Sequence, residues 1–112
     1  MILWVYGQSG SGKSTIIKEL RRQRDFAYLD SEILKDYINR DLGYSEKSRK
    51  ERYMRLAVMA RSLHEECGLD VIVETISPFR ELRENIISEI DAIGVHIGCT
   101  NTICRARDPK GL

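Results

Sequence analysis

Ile2-Leu3-Trp4-Val5-Tyr6-Gly7-Gln8-Ser9-Gly10-Ser11-Gly12-Lys13-Ser14-Thr15 is the stretch from which the rest of the chain is read. Its first five residues are apolar or aromatic without alternation, the pattern of a strand buried on both faces in a parallel sheet. Gly7 ends that run, and Gly7 to Ser14 fits G-x-x-x-x-G-K-[ST] with helical composition following from Lys13 to about Arg22. Small residues let the backbone close around phosphate oxygens, so Gly7, Gln8, Ser9, Gly10, Ser11 and Gly12 present N–H groups to an anion. The helix N-terminus at Lys13, Ser14 and Thr15 adds a favourable dipole, and Lys13 adds a point charge at the β- and γ-phosphates. Ser14 is then expected to ligate Mg²⁺ through its hydroxyl, which makes ATP and Mg²⁺ the expected cofactors.

Working outward, Phe26 to Leu29 reads as a second strand ending in Asp30, and Val71 to Val73 as a third ending in Glu74. Val95 to Ile97 is a weaker fourth, bounded by Gly94 and Gly98. The longest helix starts near Ser45, a capping hydroxyl for Ser48 or Arg49, and runs to Gly68. Tyr53, Leu56, Ala57, Ala60, Leu63, His64 and Cys67 share one face of it at i, i+3, i+4, i+7 spacing. A further helix spans Phe79 to Asp91, just after Pro78. Strands alternating with helices, several of the strands buried, predict a single α/β domain over 1–112. The architecture is the P-loop NTPase three-layer α/β/α sandwich on a mainly parallel sheet, with about four strands present.

Acids at strand ends near a phosphate loop have chemistry available to them. Glu74 is placed to hold Mg²⁺, with Ser14, and Asp30 or Glu32 to accept a proton from an attacking hydroxyl. The residues leave the choice between those two bases open, and each acid has a plainer reading, helix capping for Asp30 and solvation for Glu74. Glu46 to Arg55 holds five basic residues, divided by helical phase. Arg49 follows the core stripe and Arg52 its rim, both within reach of an anionic substrate, whereas Lys47, Lys50 and Arg55 are expected in water. His64 and His96 read as structural histidines.

The 112 residues are 42% hydrophobic and 31% charged, which excludes disordered and low-complexity classes. A net charge of +1 gives no broad field for nucleic acid or an anionic membrane. No apolar stretch is long enough for a transmembrane helix and no leader pattern stands at the start, so the expected compartment is the cytoplasm. Cys67, Cys99 and Cys104 are odd in number and lack C-x-x-C spacing, which predicts buried or half-buried thiols and no disulfide framework or zinc site.

Leu29-Asp30-Ser31-Glu32-Ile33-Leu34-Lys35 and Asn39-Arg40-Asp41-Leu42-Gly43-Tyr44-Ser45 resemble the adenylylsulfate kinase pattern LDGDxxR…NxDLGFS. Ile76-Ser77-Pro78-Phe79-Arg80 is similar to the family's ISPYR, and Arg107 to Leu112 reads RDPKGL as the family does. The resemblance spans nearly the whole chain. It implies transfer of the γ-phosphoryl of MgATP to the 3′-hydroxyl of adenylylsulfate, a small-molecule nucleotide partner. It also implies a substrate site at Glu32, Lys35, Tyr44, Arg49, Arg52, Ile76, Ser77 and Lys110. Family members are described with a phosphoserine at the position of Ser77, which places Ser77 beside Lys13, Asp30 and Glu32 among the catalytic candidates. The chemistry is partly intelligible alone: Tyr44 offers a face for a base, and Arg49 and Lys110 offer charge for the phosphosulfate.

Departures cluster on the acceptor side. LDGD becomes Leu29-Asp30-Ser31-Glu32, the following arginine becomes Lys35, ENIRR becomes Glu51-Arg52-Tyr53-Met54-Arg55, and Glu74 replaces a usually small residue. Lysine cannot reproduce an arginine fork, and Arg52 brings a charge where the family has an amide. A related anhydride such as cytidine diphosphoramidate is therefore an alternative acceptor, and an ATP-binding module without catalysis is a second alternative. The family continues past RDPKGL into a lid, a further strand and a final helix. A sheet without that strand exposes an edge, which a homodimer would cover.

Overall fold

The computed structural model describes residues 1–98. Eight elements follow in order: β1 (Ile2–Tyr6), α1 (Lys13–Gln23), β2 (Ala27–Asp30), α2 (Ser31–Ile38), α3 (Glu46–Glu65), β3 (Val71–Thr75), α4 (Arg80–Glu89) and β4 (Ile93–His96). The four strands form one sheet in the order β2-β3-β1-β4, and every pairing is parallel. The chain leaves β1 for β2, two positions away, and later returns to place β4 on the other side of β1. Beside β1 the direction of winding reverses, and in open parallel sheets that reversal opens a crevice at the carboxyl ends of the strands.

The unbroken apolar strands follow from helices packing on both faces. Trp4, Leu29, Val71 and Val73 face one way, where they pack with Tyr53, Leu56, Ala57 and Ala60 of α3, Ile86 of α4, and Ile90 just beyond α4. Val5 and Ile72 face the other way, onto Ile17 of α1. Trp4, Val5, Val71, Ile72 and Val73 have no exposed surface at all. Side chains of this size contribute roughly 1.5–3 kcal/mol each on full burial. Ala57 and Ala60 keep α3 close to the sheet, and the Tyr53 ring meets Trp4 edge to face at 6.4 Å. The α/β/α sandwich expected from the sequence is what forms.

Local chemistry sets the helix ends. Ser45 Oγ accepts from the Ser48 N–H at 3.1 Å, so α3 begins where its capping serine predicts. It ends at Glu65, ahead of Gly68, which turns the chain at φ +70°. Cys67, assigned to the buried stripe, is exposed, because the helix has stopped before reaching it. Cys99 and Cys104 lie outside the described residues. The helix expected over Phe79 to Asp91 is shorter at both ends. β4 starts at Ile93 and contains Gly94, which the sequence reading took as its boundary. An edge strand with three exposed residues tolerates a glycine that an interior strand would not. The sequence assigns α2 no span, although helix capping by Asp30 implies a helix start there. Among the described residues no helix is long and apolar enough to cross a membrane.

Candidate active site

The loop between β1 and α1 closes on itself. Gly12, at φ +99°, stands where the loop becomes helix, and a side chain at Gly7 would overlap the Ile97 carbonyl oxygen. Lys13 is only 7% exposed, and its Nζ donates to the Gly7 carbonyl at 2.7 Å and the Gln8 carbonyl at 2.9 Å. Burial lowers the Lys13 pKa, while Glu74, Asp30 and Glu32 pull it back up. Ser14 and Thr15 are exposed in the first turn of α1. Ser14 Oγ donates to Glu74 Oε2 at 3.2 Å.

The register of the sheet brings Asp30 alongside Glu74 and Val5 alongside Glu74, so both acids end at the carboxyl edge next to the loop. Asp30 caps α2: its Oδ1 accepts from the Glu32 N–H at 2.9 Å. The Tyr28 hydroxyl lies 2.6 Å from Glu74 Oε1 and 3.2 Å from Asp30 Oδ2. Burial, and then the Glu74 carboxylate, push the Tyr28 pKa well above its ordinary value, so the phenol stays a donor. Sequence reasoning passed over Tyr28. Its parity was the available signal, because Tyr28, Asp30, Ile72 and Glu74 all point to the α1 face.

On the opposite face a cleft of about 890 Å³ opens between α2, the following loop, α3 and the segment after β3. Of the residues that the resemblance implied for the substrate site, Glu32, Lys35, Tyr44, Arg49, Arg52, Ile76 and Ser77 line it. Lys110 lies outside the described residues. Glu32 pairs with Lys35 at 3.1 Å and raises the lysine pKa. The Arg49 guanidinium lies 4.7 Å from the centre of the Phe79 ring, and Arg52 lies 5.7 Å from that of Tyr44. Arg52 also donates to the carbonyls of Leu42 and Gly43. Phe79, another cleft residue, was quoted in a motif without being assigned to the site.

Ser77 is 1% exposed and sits at φ +43°, a left-handed conformation that serine rarely adopts. Its Oγ accepts from Trp4 Nε1 at 3.1 Å and donates to Thr75 Oγ1 at 3.1 Å, and Arg83 donates to its carbonyl at 2.8 Å. The hydroxyl is thus engaged inside the wall of the cleft. Arg55, expected in water, instead donates to the Ile38 carbonyl at 2.7 Å and pairs with Asp41. Helical phase turns Arg55 away from the core, but the loop after α2 folds over that side of α3. Lys47 and Lys50 are exposed as expected. His64 meets the Leu69 carbonyl at 2.7 Å and His96 stacks on Tyr6 at 5.1 Å, structural contacts in both cases.

A parallel sheet wound both ways, with a glycine-rich phosphate loop opening the helix after its first strand, defines a P-loop kinase fold. The chain belongs to the adenylylsulphate kinase family, whose model matches residues 1–112. It is 38% identical over 120 residues to the adenylyl-sulfate kinase of Geotalea daltonii, covering 100% of this chain and 59% of that protein. Against the probable adenylyl-sulfate kinase of Bacillus subtilis it is 41% identical over 119 residues, covering 99% and 60%. Among solved structures it is similar to the Mycobacterium tuberculosis APS kinase CysC in complex with AMPPNP and APS. That match has a TM-score of 0.76 and 33% identity, over 98% of this chain and 69% of that one. The chain spans about 60% of the length of these curated relatives.

The donor set suits a hard cation. Ser14 and Glu74 present oxygen to one point beside the phosphate loop, and magnesium asks for one or two such ligands, with phosphate and water supplying the rest. Among the described residues no group of three or more His, Cys, Asp or Glu forms a metal site.

Proposed function

We propose that the chain forms the nucleotide-binding and acceptor-facing part of an adenylylsulfate kinase, which moves the γ-phosphoryl of ATP to the 3′-hydroxyl of adenylylsulfate. The observation that carries this reading is the division of the sheet edge. The phosphate loop, Ser14 and Glu74 lie toward α1, and the cleft bearing Arg49, Arg52, Tyr44 and Phe79 lies toward α3. A donor nucleotide on one side and an acceptor on the other would meet at that edge. The sulfate-bearing complex of the M. tuberculosis relative favours adenylylsulfate over cytidine diphosphoramidate as acceptor.

In the transfer, the acceptor 3′-oxygen forms a bond to the γ-phosphorus as the bond from that phosphorus to the β,γ-bridging oxygen breaks, and ADP leaves. Lys13 supplies positive charge to the phosphoryl oxygens, and the loop N–H groups fix the chain of phosphates. Ser14 and Glu74 would hold magnesium, which would supply positive charge against that of the phosphates. Glu32 accepts the proton of the 3′-hydroxyl. It lines the cleft, whereas Asp30 is committed to the α2 cap. Arg49 and Arg52 attract the phosphosulfate, and Tyr44 and Phe79 offer faces to its base.

The test is transfer of labelled γ-phosphate from MgATP to adenylylsulfate by the 112-residue chain, with Lys13→Ala as control. Transfer that depends on Lys13 is the expected result. MgATP binding without transfer to adenylylsulfate would overturn the reading and leave a nucleotide-binding module.

A further inference from the structure

A tyrosine and two carboxylates meet where β2 and β3 end. Tyr28 and Asp30, two residues apart on β2, point to the α1 face, and Glu74 points the same way from the register position beside Asp30. Two neighbouring carboxylates repel unless a donor stands between them. The Tyr28 hydroxyl has one proton to give, and Glu74 Oε1 at 2.6 Å is its nearer acceptor. That leaves Glu74 Oε2 for the Ser14 hydroxyl at 3.2 Å. Asp30 keeps its other oxygen on the Glu32 N–H. The chain of donors therefore runs from Tyr28 to Glu74, and Glu74 in turn receives Ser14.

A serine hydroxyl can ligate a cation with a lone pair only if its own proton is directed elsewhere. We propose that Tyr28 is a positioning residue for cation loading: it pins Glu74 so that Glu74 takes the Ser14 proton and turns the serine lone pairs toward the metal. The inference rests on the reading of the chain as a protein that binds ATP with magnesium. Groups hydrogen-bonded behind a metal ligand commonly set its affinity by about 10- to 100-fold. The ring of Tyr28 packs in the apolar layer of the α1 face, with Arg21 4.9 Å from its centre. Phenylalanine keeps that packing, so the hydroxyl can be removed apart from the ring.

The experiment titrates magnesium against binding of a fluorescent N-methylanthraniloyl ATP analogue to the full chain, for wild type, Tyr28→Phe, Glu74→Gln and the double variant. A thermal melt of each checks the fold. Tyr28→Phe is expected to raise the half-saturating magnesium concentration about tenfold, leaving affinity for the metal-free analogue unchanged. The double variant is expected to go no further than Glu74→Gln, because the two residues act in one chain. A wild-type magnesium requirement in Tyr28→Phe, or fully additive shifts, would overturn the inference while the kinase reading stands. A wild-type chain that binds no analogue with magnesium would overturn both.

Discussion

Arg55 of α3 grips Asp41 with two guanidinium nitrogens, at 2.8 and 2.9 Å, while the same side chain holds the Ile38 carbonyl at 2.7 Å and Glu51 at 3.2 Å. Asp41 sits in the loop that delivers Tyr44 to the cleft, so a helix outside the phosphate site fixes the acceptor side. Arg55→Ala is expected to raise the KM for adenylylsulfate roughly ten- to a hundredfold, with the KM for ATP close to wild type. Arg55→Lys should restore little, since an ammonium cannot make the two-pronged pair. Steady-state kinetics varying each substrate separately decide it, and an equal rise in both KM values would speak against a loop-specific role.

The same pair has a pH signature. The Arg55 guanidinium holds the Asp41 carboxyl down to about 2, against an ordinary 3.8. A carboxyl held down in the folded state stabilises it above its ordinary pKa, and that contribution disappears as pH falls through the folded value. The difference in Tm between wild type and Asp41→Asn is therefore expected to be flat above about pH 5 and to shrink between about pH 4 and pH 2. Thermal melts across that range measure it. A difference that survives unchanged at about pH 2 would mean the pair does not supply it.

Ser77 offers a test of stability. Ser77→Ala leaves the buried Trp4 N–H without its acceptor, at a cost of roughly 1–3 kcal/mol. Urea unfolding followed by circular dichroism should show the loss. Because the hydroxyl is buried and engaged with Thr75, incubation of the folded chain with γ-labelled ATP should leave no label on Ser77. Phosphopeptide mapping that finds label there would contradict this arrangement.

Asp30 and Glu32 separate by what each substitution changes. Glu32→Gln is expected to lower kcat about a hundredfold or more with little effect on Tm. Asp30→Ala removes the cap of α2 and should cost about 1 kcal/mol of stability, whereas Asp30→Asn keeps an acceptor there and should cost less. Rate and melting measurements on the three variants suffice. A larger kcat loss in Asp30→Asn than in Glu32→Gln would move the base to Asp30.

The first strand and its loop were legible because their requirements are local: an unbroken apolar run, glycines for a tight wrap, and a helix start. β2, β3 and the start of α3 followed from periodicity and a capping serine. α2 escaped although Ile33, Leu34, Tyr37 and Ile38 recur at helical spacing, because an eight-residue stripe is short and its members sit at the surface, Ile33 60% and Tyr37 71% exposed. What marks its start is the Asp30 cap, which the sequence reading weighed against a catalytic role. Arg55 was misplaced because helical phase describes one helix and says nothing of the loop laid across it. The cleft residues Glu32, Tyr44, Arg49 and Arg52 come together from separate elements. Motif resemblance could group them, whereas composition could not.

Glu74 and Thr75 are adjacent on β3 but point to opposite faces, one toward Ser14 and the other toward Ser77. Gaining or losing a single residue in the turn after α3 would threaten to slide β3 by one position and exchange the two. Surface turns usually absorb insertions and deletions freely. Here the length of a plain connecting turn is tied to chemistry at the far end of the strand, so variation among descendants of this sequence should appear there as substitution and not as indels.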